Sequence, residues 1–269
     1  MHSQLARSQP IGVFDSGVGG ISVLHHIRTA LPAENLLYLA DSKHAPYGNK
    51  SPEFIRERAF ALADFLIAQG AKALVVACNT ATAAAIEELR KRYSLPILGM
   101  EPAVKPAAAA TKTGVVGVLA TVGTLKSAQF AALLESCGKS VEVVTQACHG
   151  LVECIERGEL ESPATAALLQ TYLQPLLQAG ADTIVLGCTH YLFVRPLIEQ
   201  LVDPEIILID TGAAVAKHLK RRLQQASLQA DAGQSGQVKF WTNSEELDVK
   251  QVISQLWGTS ADVAVLVSG

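Results

Sequence analysis

Short apolar runs recur along the chain, each closed by small or polar residues and followed by a longer stretch with helical spacing. "IGVFDSG" (11–17) reads as a strand ending in polar residues, and "VGGISVLHHIRTAL" (18–31) continues as a helix. "NLLYLAD" (35–41) is a second strand, ending at Asp41. "SPEFIRERAFALADFLIAQG" (51–70) reads as a helix. Ser51 suits its N-cap, Pro52 its first turn and Gly70 its stop, while Phe54, Ala61, Leu62, Phe65 and Leu66 share one face. "AKALVVACNT" (71–80) returns to strand. Strands and helices alternating in this way predict an α/β fold with parallel sheets flanked by helices.

The second half repeats the first. "GVFDSG" is echoed by "GVLATVG" (117–123), the Ser51-Pro52 helix start by Ser162-Pro163, and "QGAKALVVACNT" by "AGADTIVLGCTH" (179–190). The same interval separates Gly70 from Gly180 and Cys78 from Cys188. This period is too long for a solenoid. It predicts two similar lobes, pseudo-two-fold related, with a site between them. Prolines in "LGMEPAVKPA" (98–107) mark the crossing, and the long helix, strand and helix after "ILIDTG" (207–212) form a tail too short for a domain. The expected division is a discontinuous first lobe, 1–103 plus 213–269, and a second lobe, 104–212.

Composition narrows the class. Of 269 residues, 49% are hydrophobic and 17% charged, which fits a globular chain with a sizeable core. No apolar run reaches the ~18 residues of a membrane helix. A net charge of −3 gives no sign of nucleic-acid binding, and the basic run at 217–222 reads as the solvated end of a helix. The opening "MHSQLARSQP" has no apolar signal core, and five cysteines make no paired framework, so a cytoplasmic location is expected. Cys148, His149 and Cys154 lie close in sequence but lack a second ligand pair at zinc-like spacing, so no metal is expected.

The chemistry gathers at strand ends. Cys78 and Cys188 each follow a buried strand and precede a Thr-containing turn into a helix. Ligands of open α/β sheets bind beyond such strand ends, and a helix N-terminus there lowers a thiol pKa and attracts carboxylates. Two facing lobes set the two thiols on opposite walls of one cleft. That arrangement suits inversion of a carbon centre, one sulfur removing a proton and the other supplying one from the opposite face. Cys137, Cys148 and Cys154 have no such counterpart and read as packing residues. Asp15 and Ser16, in a glycine-rich turn without the lysine of a phosphate loop, end the first strand. His190, beside Cys188, is a candidate general acid or orienting group. Glu153 is either an exposed helix residue or a carboxylate near His190.

With these features the sequence resembles the glutamate racemase family. The matching stretches are "IGVFDSGVGGISVL", "ADSKHAPYGNKS", "VVACNTATAAA", "GVLATVGTL", "GLVECIE", "LGCTHYL" and "LIDTGAAVA", in the family's order. The resemblance implies interconversion of L- and D-glutamate without pyridoxal phosphate, other cofactor or metal, to supply the cell wall, by a homodimer. Carried over, Cys188 deprotonates L-glutamate and Cys78 D-glutamate. Asp15, Ser16, Tyr47, Gly48, Asn79, Thr80, Thr189 and His190 hold the substrate, with Asp15 pairing its ammonium. Asp15, Glu153 and His190 tune the acid–base groups. Leu192 and His149 depart from the family pattern and bear on the cleft wall near Cys188. The residues alone leave open a racemase for aspartate or another amino acid, and a two-lobed binding protein without catalysis.

Overall fold

The computed structural model describes residues 7–137, 141–233 and 235–266, without the side chains of Cys137 and Leu247. Its strands form two sheets, and every pairing is parallel. The first sheet contains β1 (Ile11–Asp15), β2 (Leu36–Ala40), β3 (Ala73–Val76), β4 (Ile97–Leu98), β9 (Val238–Thr242) and β10 (Val263–Val265), in the order β10-β9-β2-β1-β3-β4. The second contains β5 (Val115–Ala120), β6 (Glu142–Ala147), β7 (Thr183–Leu186) and β8 (Ile207–Ile209), in the order β6-β5-β7-β8. The inner run β2-β1-β3-β4 and the whole of β6-β5-β7-β8 have one topology, so the echo read from the sequence is an echo of fold.

Parallel strands with both faces covered need apolar residues throughout. All five residues of β1, all five of β2 and all four of β3 are buried. One face of the first sheet packs on α1 (Ile21–Ala30), α10 (Gly212–Gln225) and α11 (Leu247–Trp257). The other packs on α2 (Pro52–Ala68) and α3 (Asn79–Arg92). The second sheet is covered by α7 (Leu151–Glu156), α8 (Pro163–Gln178) and α9 (Arg195–Leu201) on one face. Its other face meets α4 (Val104–Ala110) and α6 (Ala128–Cys137). The punctuation behaves as its chemistry requires: the Ser51 and Ser162 hydroxyls accept the Phe54 and Thr165 amides, and Gly70 takes a positive φ of 86° after α2.

The chain passes from the first sheet to the second between β4 and α4, where Pro102 stands; Pro106 lies in the first turn of α4. It returns after β8 through α10, whose Val215, Ala216, Leu219 and Leu223 join α1 in the first core. β9 and β10 then extend the first sheet beyond β2. Among the described residues no helix is long and apolar enough to cross a membrane.

Candidate active site

Cys78 and Cys188 lie just beyond the C-terminal ends of β3 and β7, on facing walls of one cleft. A narrow cavity of about 10 Å³ separates the lobes there, lined by both cysteines with Ser16, Tyr47, Gly48, Asn79, Thr80, Thr189 and His190. The free space is that of about one water molecule, so the lobes are closed on each other. Of the residues singled out from the sequence, Asp15 stands directly behind this wall and Glu153 stands away from it.

On the first-lobe wall, Cys78 is the N-cap of α3, and the Ala81 N–H donates to its Sγ at 3.4 Å. The Ser16 hydroxyl lies 3.8 Å from the same sulfur. The expectation of a lowered thiol pKa does not hold in the closed cleft. Burial pushes Cys78 well above its ordinary range, Asp15 and Cys188 add to the rise, and the Ala81 amide offsets only part of it. Asp15 is completely buried, and burial raises its carboxyl pKa against the opposing pull of His190, Cys78 and the Ser16 amide. Its Oδ1 accepts from Ser16 N–H at 2.6 Å, and its Oδ2 from Gly20 N–H at 2.6 Å and the Thr189 hydroxyl at 3.1 Å. Both oxygens accept from protein donors, which ties Asp15 to its own loop and to Thr189 of the opposite wall.

The second-lobe wall is built differently. A 3₁₀ turn (Thr189–Val194) follows Cys188, and His190 Nδ1 lies 3.7 Å from the Cys188 Sγ. The other ring nitrogen, Nε2, meets Glu156 Oε1 at 2.6 Å. Burial opposes a charge on His190, but Cys188 and Glu156 outweigh it and hold the imidazole well above its ordinary pKa. The carboxylate on His190 is thus Glu156, and the expectation for Glu153 is corrected. Both sit on α7, three residues apart, but Glu153 faces a separate depression with Cys148 and His149. Cys148 has its thiol pushed up to about 12, chiefly by burial.

Glu156 also accepts the Val18 N–H at 2.8 Å, across the interlobe gap. The glycines of "DSGVGG" explain this contact. A Cβ on Gly17 would overlap the Glu156 carboxylate, and one on Gly19 would overlap the His190 ring. The bare backbone of the first lobe admits two side chains of the second. The Ser22 hydroxyl donates to Thr189 O at 3.0 Å, a further link between lobes.

Two threonines escaped the sequence reading. The Thr80 hydroxyl lies 2.9 Å from that of Thr121 and 3.2 Å from that of Thr124, and all three line the cavity. The repeat carried the signal, since Thr121 follows β5 as Ser16 follows β1. The roof is held by Asp41. It accepts from the Tyr47 hydroxyl, from Arg58 Nη2 at 2.8 Å and Nε at 3.1 Å, and from Asn243 Nδ2 at 2.5 Å. Burial, with Asp41 beside it, keeps the Tyr47 phenol protonated by raising its pKa. Asn79 Oδ1 is buried at the cavity without a hydrogen-bond partner. Among the described residues no three His, Cys, Asp or Glu side chains group as a metal site.

Two parallel α/β lobes enclose a small polar cavity between opposed thiols. The profile of the Asp/Glu/hydantoin racemase family matches residues 11–219, and the chain belongs to that family. It is 60% identical over 257 residues to a glutamate racemase of Ectopseudomonas mendocina, covering 95% of this chain and 97% of the other. A glutamate racemase from Bacillus anthracis superposes with a TM-score of 0.86 at 31% identity, over 97% of this chain and 98% of that one. An Escherichia coli glutamate racemase, solved with L-glutamate and the activator UDP-MurNAc-Ala, superposes with a TM-score of 0.85 at 31% identity, over 97% of this chain and 100% of that one.

Proposed function

We propose that the chain interconverts L- and D-glutamate by two-base proton transfer at the α-carbon, with no cofactor. The observation that carries this reading is the pair of cysteines at equivalent strand ends on facing walls of one cavity. In the L-to-D direction, Cys188 as thiolate takes the α-proton, and the carbanion is protonated on its opposite face by the Cys78 thiol. The reverse direction exchanges the two roles. The raised pKa of Cys78 supports its standing as a proton donor, and the His190 ring nitrogen 3.7 Å from the Cys188 sulfur supports Cys188 as the base. Glu156 holds that imidazole by its far nitrogen. Asn79 Oδ1 suits the substrate ammonium. Ser16, Thr189 and the hydroxyls of Thr80, Thr121 and Thr124 suit its carboxylates, while Tyr47 and Gly48 close the cleft.

The same proposal assigns the lobes as 1–103 plus 213–269 and 104–212, supported by sheet membership and by the packing of α10 on α1. It places the product in peptidoglycan synthesis and the enzyme, as a homodimer, in the cytoplasm. Family resemblance and the four free cysteines of the described residues support that setting. The test is incubation with L-glutamate in deuterated water. D-Glutamate carrying deuterium at Cα is the expected product. Racemisation without label overturns the mechanism, and faster turnover of aspartate than of glutamate overturns the substrate.

A further inference from the structure

The catalytic cavity is nearly sealed, so substrate reaches it past the rim around Gly48 and Asn49. Two depressions meet at that rim. One lies between the start of α2 and the segment 122–128, is lined by Lys50, Arg56 and Lys126, and shares Gly48 and Thr80 with the catalytic cavity. No carboxylate lines it. The other is smaller and is lined by His149 and Glu153, with no Lys or Arg. Arg56 Nη2 pairs with Glu53 at 2.8 Å, and Lys50 lies 5.8 Å from the Phe54 ring centroid. Lys126 makes no ion pair among the described residues. The chain as a whole is acidic, with a net charge of −3, so these three cations form a local exception to a field that repels anions.

We propose that the groove of Lys50, Arg56 and Lys126 is an anion-capture site, which gathers the dicarboxylate substrate and admits it to the cleft by this flank. The inference rests on the reading of the cleft as a glutamate site. Cations on the two sides of the groove, Lys50 and Arg56 on the first lobe and Lys126 on the second, attract a carboxylate before the lobes close over it. Attraction of this kind concentrates a charged ligand at a cleft and weakens as salt screens it. The opposite flank, with Glu153, repels the same ligand.

The test compares the wild type with the Lys50→Gln, Arg56→Gln, Lys126→Gln triple variant over a range of ionic strength. Wild-type kcat/KM is expected to fall as salt rises. The triple variant is expected to start about fivefold lower at low salt and to lose most of that dependence, with kcat within about twofold of wild type. A triple variant with the wild-type salt slope overturns the proposal. Lys126→Gln alone, expected to flatten the slope in part, serves if the triple variant does not fold. A second arm uses glutarate, followed by backbone amide shifts. The amides of Gly123, Lys126 and Ser127 are expected to move in the wild type and to stay still in the variant. Amides that do not move in the wild type overturn the capture site whether or not the protein racemises glutamate. Movement without racemisation counts against the glutamate reading alone.

Discussion

The two walls of the cleft are alike in backbone and unlike in what stands behind the sulfur. Each cysteine follows the strand that neighbours the central strand of its sheet, β3 beside β1 and β7 beside β5. Behind Cys78 are a buried carboxyl, a hydroxyl and the amide of its own helix. Behind Cys188 is an imidazole held at its far side by Glu156. A repeated fold thus sets two sulfurs on facing walls, as the proposed two-base mechanism requires, while unlike neighbours give them unlike surroundings. Symmetry of frame does not require symmetry of charge.

The strongest way to break the comparison is to remove each sulfur in turn. Cys78→Ala and Cys188→Ala should each lower racemisation by about 10³-fold or more, with the fold intact by circular dichroism. Near-normal turnover in either variant would mean that one wall suffices. Removal of the His190 charge comes next. His190→Gln should reduce kcat/KM by about 10–100-fold. Because the enantiomers are equal in free energy in water, kcat/KM must fall equally in both directions. The difference between walls should therefore appear in the separate kcat values and in the isotope effect on each enantiomer. Glu156→Gln should reproduce a weaker form of the same pattern, and a change confined to KM would refute its link to His190.

Loss of one cavity hydroxyl should matter less. Thr121→Val is expected to raise KM by about tenfold, the worth of one hydrogen bond to a charged group, with kcat little changed in initial-rate assays. Stability should also report the difference between walls. The folded pKa of His190 lies above its ordinary value, so its stabilising contribution is complete below about pH 6.5 and is lost as pH rises through the folded value. The raised Cys78 works in the same sense only above its own ordinary range, at higher pH. His190→Gln should therefore flatten the loss of Tm above neutrality by about 2–4 °C, leaving the Cys78 limb. The smallest expected effect is that of Glu153→Gln, within about twofold in kcat/KM and with an unchanged pH profile. A larger effect would return Glu153 to the site.

Much of this was legible in the sequence because it depends on local rules. Buried parallel strands demand unbroken apolar runs, and Ser-Pro starts and Gly stops are local chemistry. The paired cysteines were visible because duplication printed the same punctuation twice. What was not legible depends on contacts between distant segments. Glu153 and Glu156 differ by less than one helical turn, and only the approach of α7 to the bare backbone of Gly17 and Val18 selects Glu156. The thiol pKa was misread because a helix N-terminus is a local feature while desolvation depends on closure of the whole cleft. The donors of Asp15 were equally out of sight, since one of them comes from Thr189 of the opposite lobe.

The return of the chain to the first sheet sets an order in time. The four strands of the second sheet are consecutive in sequence, so that sheet is complete once β8 has been made. The first sheet is completed by β9 and β10, which follow β8 in the chain. Asn243, which ties Asp41 beneath the Tyr47 roof, immediately follows β9. A chain made from its N-terminus therefore has every strand of the second sheet before it has the segment that finishes the roof of its cleft. Both sulfurs are therefore in place along the chain before the residue that completes the enclosure of their chamber.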